Sequence, residues 1–153
     1  MLWIAGAGGQ QAQLEALAAR LGIAGHIKFL GLRRDIPALM SAADIFVLSS
    51  AWEGFPLVIG EAMACERIVV STNAGGIPEW LGQSDYIVPI RDSAALADAL
   101  LRALVLDGES KRVCGQAARQ RILSQYSLNT VAQRWEEIYK GEYQLGHSST
   151  GTI

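Results

Sequence analysis

Five short apolar runs, separated by turns and helix-like stretches, constrain the fold of this 153-residue chain more than any other feature. They are Leu2-Trp3-Ile4-Ala5, Ile27-Lys28-Phe29-Leu30, Ile45-Phe46-Val47-Leu48, Ile68-Val69-Val70 and Tyr86-Ile87-Val88. A strand wetted on one face alternates apolar and polar residues. These runs lack that alternation, which predicts strands covered on both faces. Strands alternating with helices predict an α/β fold: a Rossmann-like parallel sheet of about five strands, helices on both faces and further helices at the C-terminal end.

The helices have readable signals. Leu14, Leu17, Ala18 and Leu21 share one face of the first, with Gly22 as its stop. Asp35 and Pro37 mark the start of a short helix. Asp92 is an N-cap for a helix carrying Leu96, Leu100 and Leu104 at fourfold spacing. Two more helices are expected over 109–124 and 128–139. In the second, Val131, Trp135, Ile138 and Tyr139 form an apolar stripe. Residues 1–143 read as one domain, or a piece of a larger one, and 144–153 as a disordered tail.

Composition narrows the function. Half the residues are hydrophobic, enough for a packed core, and the net charge is −2 with no basic face, so no nucleic-acid partner is expected. No apolar run approaches the roughly 18 residues of a membrane span. There is no leader of secretory type, and a cytoplasmic location is expected. Cys65 and Cys114 read as buried, reduced thiols. His26 and His147 have no partner at metal-ligand spacing, and no metal site is expected.

Gly6-Ala7-Gly8-Gly9 sits between a strand and a helix and invites comparison with a dinucleotide fingerprint. That pattern needs a sixth-position glycine, where Gln11 stands, and an acid after the next strand, where Leu30-Gly31 stands. A tight turn near a ligand's backbone is the better reading. No Gly-Lys-Ser/Thr occurs, so there is no P-loop.

The most informative segment is Glu53-Gly54-Phe55-Pro56-Leu57-Val58-Ile59-Gly60-Glu61. It follows the third strand and enters a helix at Pro56, where open α/β sheets bind ligands. Two carboxylates could be a general acid/base pair. However, Glu61 lies roughly 7–8 Å along the helix and Glu53 in the loop before it, with the helix N-terminus between them. Free N–H groups there favour phosphate, and flanking carboxylates favour sugar hydroxyls. A capping acid and a solvated helix residue is the plainer alternative. Asn73-Ala74-Gly75-Gly76-Ile77-Pro78-Glu79 is a second strand-to-helix loop, expected to close the same site. Arg33-Arg34 falls at the same sheet edge, where one arginine could meet a phosphate or base and solvation is the alternative.

Together with Ile4-Ala5-Gly6-Ala7-Gly8, Ile27-Lys28-Phe29-Leu30-Gly31, Ala42-Ala43-Asp44-Ile45-Phe46-Val47-Leu48-Ser49 and the closing helix around Trp135, these segments resemble glycosyltransferase family four. The likeness is to the C-terminal, donor-binding half of these retaining, two-domain enzymes of B-type fold, over residues 1 to about 143. The resemblance implies that Glu53 contacts hydroxyls of the transferred sugar as the catalytic-site carboxylate. It implies that Glu61 holds the ribose hydroxyls, and that the N–H groups of Phe55, Leu57 and Val58 line sugar and diphosphate. Leu32 would meet the base through its backbone. The implied donor-binding set is Gly8, Leu32, Glu53, Gly54, Phe55, Pro56, Leu57, Val58, Glu61, Gly75 and Gly76.

The helix N-terminus would stabilise the departing nucleoside diphosphate without a metal or other cofactor. The family's Arg and Lys cations and its acceptor-binding domain lie upstream, so the chain is expected to be truncated and inactive alone. Peripheral membrane association would come through that missing half. The family often has Gly and Pro near 66 and 68, where Glu66 and Ile68 stand here. A non-catalytic module pairing with a separate acceptor-binding chain is the main alternative, with Met1 and the Trp135 helix as interface. A phosphorylase would commonly need a cofactor-bearing lysine, for which Lys28 and Lys111 have no suitable setting.

Overall fold

A computed structural model describes residues 1–142, which divide into two units, Met1–Leu39 and Met40 onward. The tail expected over 144–153 lies outside the described residues.

The first unit is a βαβ element. Strand β1 (Leu2–Ala5) leads through the Gly6–Gly9 turn into α1 (Gln11–Arg20), and β2 (Ile27–Gly31) returns parallel to β1. Leu2 pairs with Ile27 and Ile4 with Phe29. The carboxyl ends are tied by the Gly6 N–H donating to Gly31 O at 2.8 Å. Only Ala18 of the expected α1 stripe is buried; Leu14, Leu17 and Leu21 keep much of their surface. Helix α2 (Ile36–Ala42) carries the chain into the second unit.

The second unit contains β3 (Ile45–Leu48), α3 (Leu57–Ala64), β4 (Ile68–Thr72), α4 (Ile77–Leu81) and β5 (Ile87–Val88), followed by α5 (Ser93–Leu104), α6 (Gly108–Gln125) and α7 (Leu128–Lys140). Its strands run parallel in the order β3-β4-β5. Central β4 is buried along its whole length, as its unbroken apolar start requires. Ile68, Val70 and Val88 pack against Ala99 and Ala103 of α5, where the small side chains let helix and sheet approach closely. Each fully buried Val or Ile of this kind contributes about 1.5–3 kcal/mol.

All five expected strands form and all pair in parallel. Hydrogen bonds group them as a pair and a triplet, a division the apolar pattern does not encode, because periodicity marks a strand but not its neighbour. One expectation needs correction. Cys114 is exposed and Cys65 half-buried, both free. The reason lies next door: Gly115 is the buried position of α6, and a Cβ there would meet Glu66 O at 2.3 Å. Neighbouring helix residues point about 100° apart, so Cys114 faces away. The α7 stripe forms, with Trp135 and Tyr139 rings 5.9 Å apart, but no α7 residue is buried.

Candidate functional site

The site builds outward from β4. Thr72, its last residue, is 3% exposed, and its Oγ1 donates to Ser50 O at 2.5 Å. Ser71, one residue earlier, donates through its hydroxyl to Leu48 O at 2.9 Å. The backbone beyond β3 is therefore fastened to the most buried strand before it turns toward α3. From this fixed start, Ser50 Oγ donates to Glu53 Oε1 at 2.6 Å, a length typical of a hydroxyl bound to an ionised carboxylate.

The two strand-to-helix loops meet directly, as expected from their shared sheet edge. Gly76 N–H donates to Gly54 O at 2.7 Å. Gly75 has φ +52°, and a Cβ there would lie 1.9 Å from Glu53 O. A Cβ on Gly76 would strike the Phe55 ring at 2.7 Å. No other residue type fits at position 75 without parting the loops.

Pro56 is the buried cap residue of α3, with φ −73° and no side-chain cap bond, and α3 carries no acid in its first turn. Among the described residues no acceptor takes the N–H groups of Leu57 and Val58. These are the donors a helix start leaves unpaired, on an end of positive dipole. Glu61 is exposed, five residues beyond the cap and so about 7.5 Å along the axis. The Phe55 ring stacks on Trp80 at 4.5 Å, and Trp80 lies 4.5 Å from Tyr126. The Trp80 ring also fills the space above Gly60, where a Cβ would be 2.6 Å away. The aromatic cluster thus braces both the loop and the first turns of α3.

The structure therefore brings together Glu53, Gly54, Phe55, Pro56, Leu57, Val58, Glu61, Gly75 and Gly76 within the second unit. Gly8 and Leu32 belong to the first unit, at the carboxyl ends of β1 and β2, where Leu32 is 83% exposed and Gly8 has open space around its Cα. Arg33 has a partner of its own: its Nε and Nη2 donate to the two oxygens of Asp35 at 2.8 and 2.6 Å. That bidentate pair holds the Asp35 carboxyl below its ordinary range. Cavities of about 470 Å³ along α6 and about 350 Å³ near the amino end of β4 include none of the site residues. Among the described residues, no cluster of His, Cys, Asp and Glu is placed to hold a metal. No described helix is long and apolar enough to cross a membrane.

Ser50 and Thr72 were not among the residues expected at the site. A serine three positions before an acid, as in helix capping boxes, was the available signal for Ser50. For Thr72 no local signal exists, because its partner is 22 residues away.

Parallel strands flanked by helices define one half of a B-type glycosyltransferase fold. Residues 1–105 match the family described as glycosyl transferases group 1, and the chain belongs to that family. It is 31% identical over 140 residues to N-acetyl-alpha-D-glucosaminyl L-malate synthase of Bacillus anthracis, covering 90% of this chain and 36% of that protein. In three dimensions it matches sucrose-phosphate synthase of Thermosynechococcus elongatus with a TM-score of 0.80 at 26% identity, over 92% of this chain and 38% of that one. Anabaena HepE, solved in complex with UDP-glucose, matches with a TM-score of 0.72 at 30% identity, over 91% of this chain and 40% of that one. The chain thus spans well under half the length of these relatives.

Proposed function

We propose that this chain is the donor-binding part of a retaining glycosyltransferase and that its second unit holds a nucleoside diphosphate sugar at the Glu53–Glu61 segment. The observation that carries the reading is the clasp between the two strand-to-helix loops. It sets a half-buried carboxylate, Glu53, at the mouth of a helix whose Leu57 and Val58 N–H groups have no acceptor among the described residues. An anion fits that helix end, and hydroxyl groups fit the carboxylates on either side. HepE, a relative in fold and sequence, is described with UDP-glucose, which supports a nucleotide sugar as the ligand.

In this reading the Leu57 and Val58 N–H groups take the diphosphate, Glu61 the ribose hydroxyls, and Glu53 the transferred sugar. As the glycosidic bond breaks, negative charge grows on the phosphate oxygens. The fixed helix dipole then stabilises the transition state more than the ground state, with no metal called for. Gly75 and Gly76, by presenting no side chain, let the second loop close against the first and hold the Glu53 backbone in place.

The test is ligand-observed NMR of the chain with UDP-, GDP- and ADP-sugars, repeated with Glu61→Ala. Saturation transfer to the ribose and sugar protons of one nucleotide class is expected, with the ribose signal weakened by the substitution. Ribose contacts that persist unchanged in Glu61→Ala would remove Glu61 from this role, and no binding in any class would remove the donor site.

A further inference from the structure

The position of Glu53 is set from two sides, and one of them is a side chain with no place in the reading above. Ser50 lies two residues beyond β3, and its carbonyl is held by the hydroxyl of Thr72 at the buried end of β4. Its own hydroxyl has a single proton to donate, and that proton goes to Glu53 Oε1 at 2.6 Å. On the far side, Gly54 O is held by the Gly76 N–H at 2.7 Å. Glu53 Oε2 has no partner among the described residues, although the side chain is half-buried. One carboxylate oxygen is engaged and the other is presented.

We propose that Ser50 is a positioning residue for sugar recognition, holding Oε1 of Glu53 so that Oε2 faces a hydroxyl of the transferred sugar. This rests on the donor-site reading. A glutamate on a loop otherwise samples many rotamers and must be ordered when the sugar binds. Ser50 orders it beforehand, on a backbone that Thr72 ties to the core. The hydroxyl thereby sharpens selection among sugars, because a fixed acceptor rewards only the epimer that places a hydroxyl opposite it. It leaves the nucleotide untouched, since the Leu57 and Val58 N–H groups and Glu61 sit on α3 beyond the loop.

A purely structural role for Ser50, closing a turn, predicts something else: equal weakening of every ligand together with lower stability. Isothermal titration of the whole chain with UDP and with UDP-glucose separates the two. The proteins compared are wild type, Ser50→Ala, Ser50→Thr, Glu53→Ala and the Ser50→Ala/Glu53→Ala pair. Ser50→Ala is expected to hold UDP within about twofold of wild type and to weaken UDP-glucose roughly three- to tenfold. Ser50→Thr, which keeps the hydroxyl, restores UDP-glucose affinity to within about twofold of wild type. The double variant is expected to be no weaker than Glu53→Ala, because Ser50 acts through that carboxylate.

Equal losses for UDP and UDP-glucose, or losses that add in the double variant, overturn the proposal. Wild type that binds UDP but gains nothing from the glucose overturns it as well and leaves the donor site standing. Wild type that binds neither ligand overturns this inference, and the donor-site reading falls with it where GDP- and ADP-sugars also fail to bind.

Discussion

Glu66 follows the C-terminus of α3 with φ +60°, a left-handed backbone that costs a residue with a side chain about 1–2 kcal/mol. The bonds around it explain why the conformation is imposed. Glu66 N–H donates to Met63 O and Arg67 N–H to Ala62 O, both at 3.0 Å, which is the paired closure of a Schellman turn. The side chain gives little in return: its nearest cation, Arg119, is 3.9 Å away and both groups are 40% exposed or more. Glu66→Gly is therefore expected to stabilise the chain by about 0.5–1 kcal/mol, after the greater freedom of glycine in the unfolded chain is deducted. A thermal melt should rise by about 1–4 °C; a lower Tm would show that the Arg119 contact outweighs the strain.

Gly75 is the opposite case, a position where the glycine is required. With φ +52° and a virtual Cβ 1.9 Å from Glu53 O, Gly75→Ala must push the two loops apart. The expected cost is about 1–3 kcal/mol in a denaturant titration. UDP affinity should fall with it, because the displaced backbone carries the carboxylate and leads into α3. A variant that lost stability but kept its UDP affinity would show that the clasp supports the fold alone.

At the scale of elements, the last three helices begin alike. Asp92, Asp107 and Ser127 each accept a backbone N–H three residues on, from Ala95, Ser110 and Thr130 respectively. The Asp107 carboxyl is held below its ordinary range, first by the Ser110 backbone N–H and then by the Ser110 hydroxyl. The sign follows from linkage: a group whose pKa is lower folded than unfolded stabilises the fold above its unfolded value. That contribution is lost as pH falls through the lower, folded value. Asp107→Asn keeps an acceptor at the cap but removes the proton equilibrium. Compared with wild type by circular dichroism, the variant should lose less α6 helicity between pH 5 and pH 2; parallel acid titrations would assign the loss elsewhere.

These elements also show which physical signals a sequence carries. The bounds of β3 and the Asp92 cap were legible because each rests on residues within a single turn or strand: four consecutive apolar side chains, and an acid ahead of a fourfold leucine pattern. The Glu53–Glu61 segment was legible for the same reason, since loop, cap and helix are contiguous. The exposure of Cys114 was not legible, because the phase of α6 is fixed by the approach of Gly115 to Glu66. The Thr72–Ser50 bond was not legible because it joins the end of β4 to the loop after β3, 22 residues away in sequence. The split of the strands into a pair and a triplet was illegible for the same reason, since pairing is decided by packing across the chain.

At the scale of the molecule, stability is distributed unevenly. In the second unit β4 is flanked by β3 and β5, covered by α5, and buried at every residue from Ile68 to Thr72. Helix α7 buries no residue, and Trp135 is 54% exposed. A helix held mainly by its own hydrogen bonds is marginal at 13 residues. Local opening should therefore expose α7 amides without disturbing the sheet, whereas β4 amides require the second unit to unfold. The Glu53 loop draws its order from the β4 end of this gradient, through Thr72 and Ser50. Native-state hydrogen exchange followed by NMR should find the amides of Val69, Val70 and Ser71 slower than those in the middle of α7 by on the order of a hundredfold or more. Added denaturant should bring β4 exchange onto the slope of global unfolding and leave α7 exchange nearly flat. If α7 and β4 instead shared one slope, the helix would be part of the cooperative core, and its exposed stripe would have to be covered in solution.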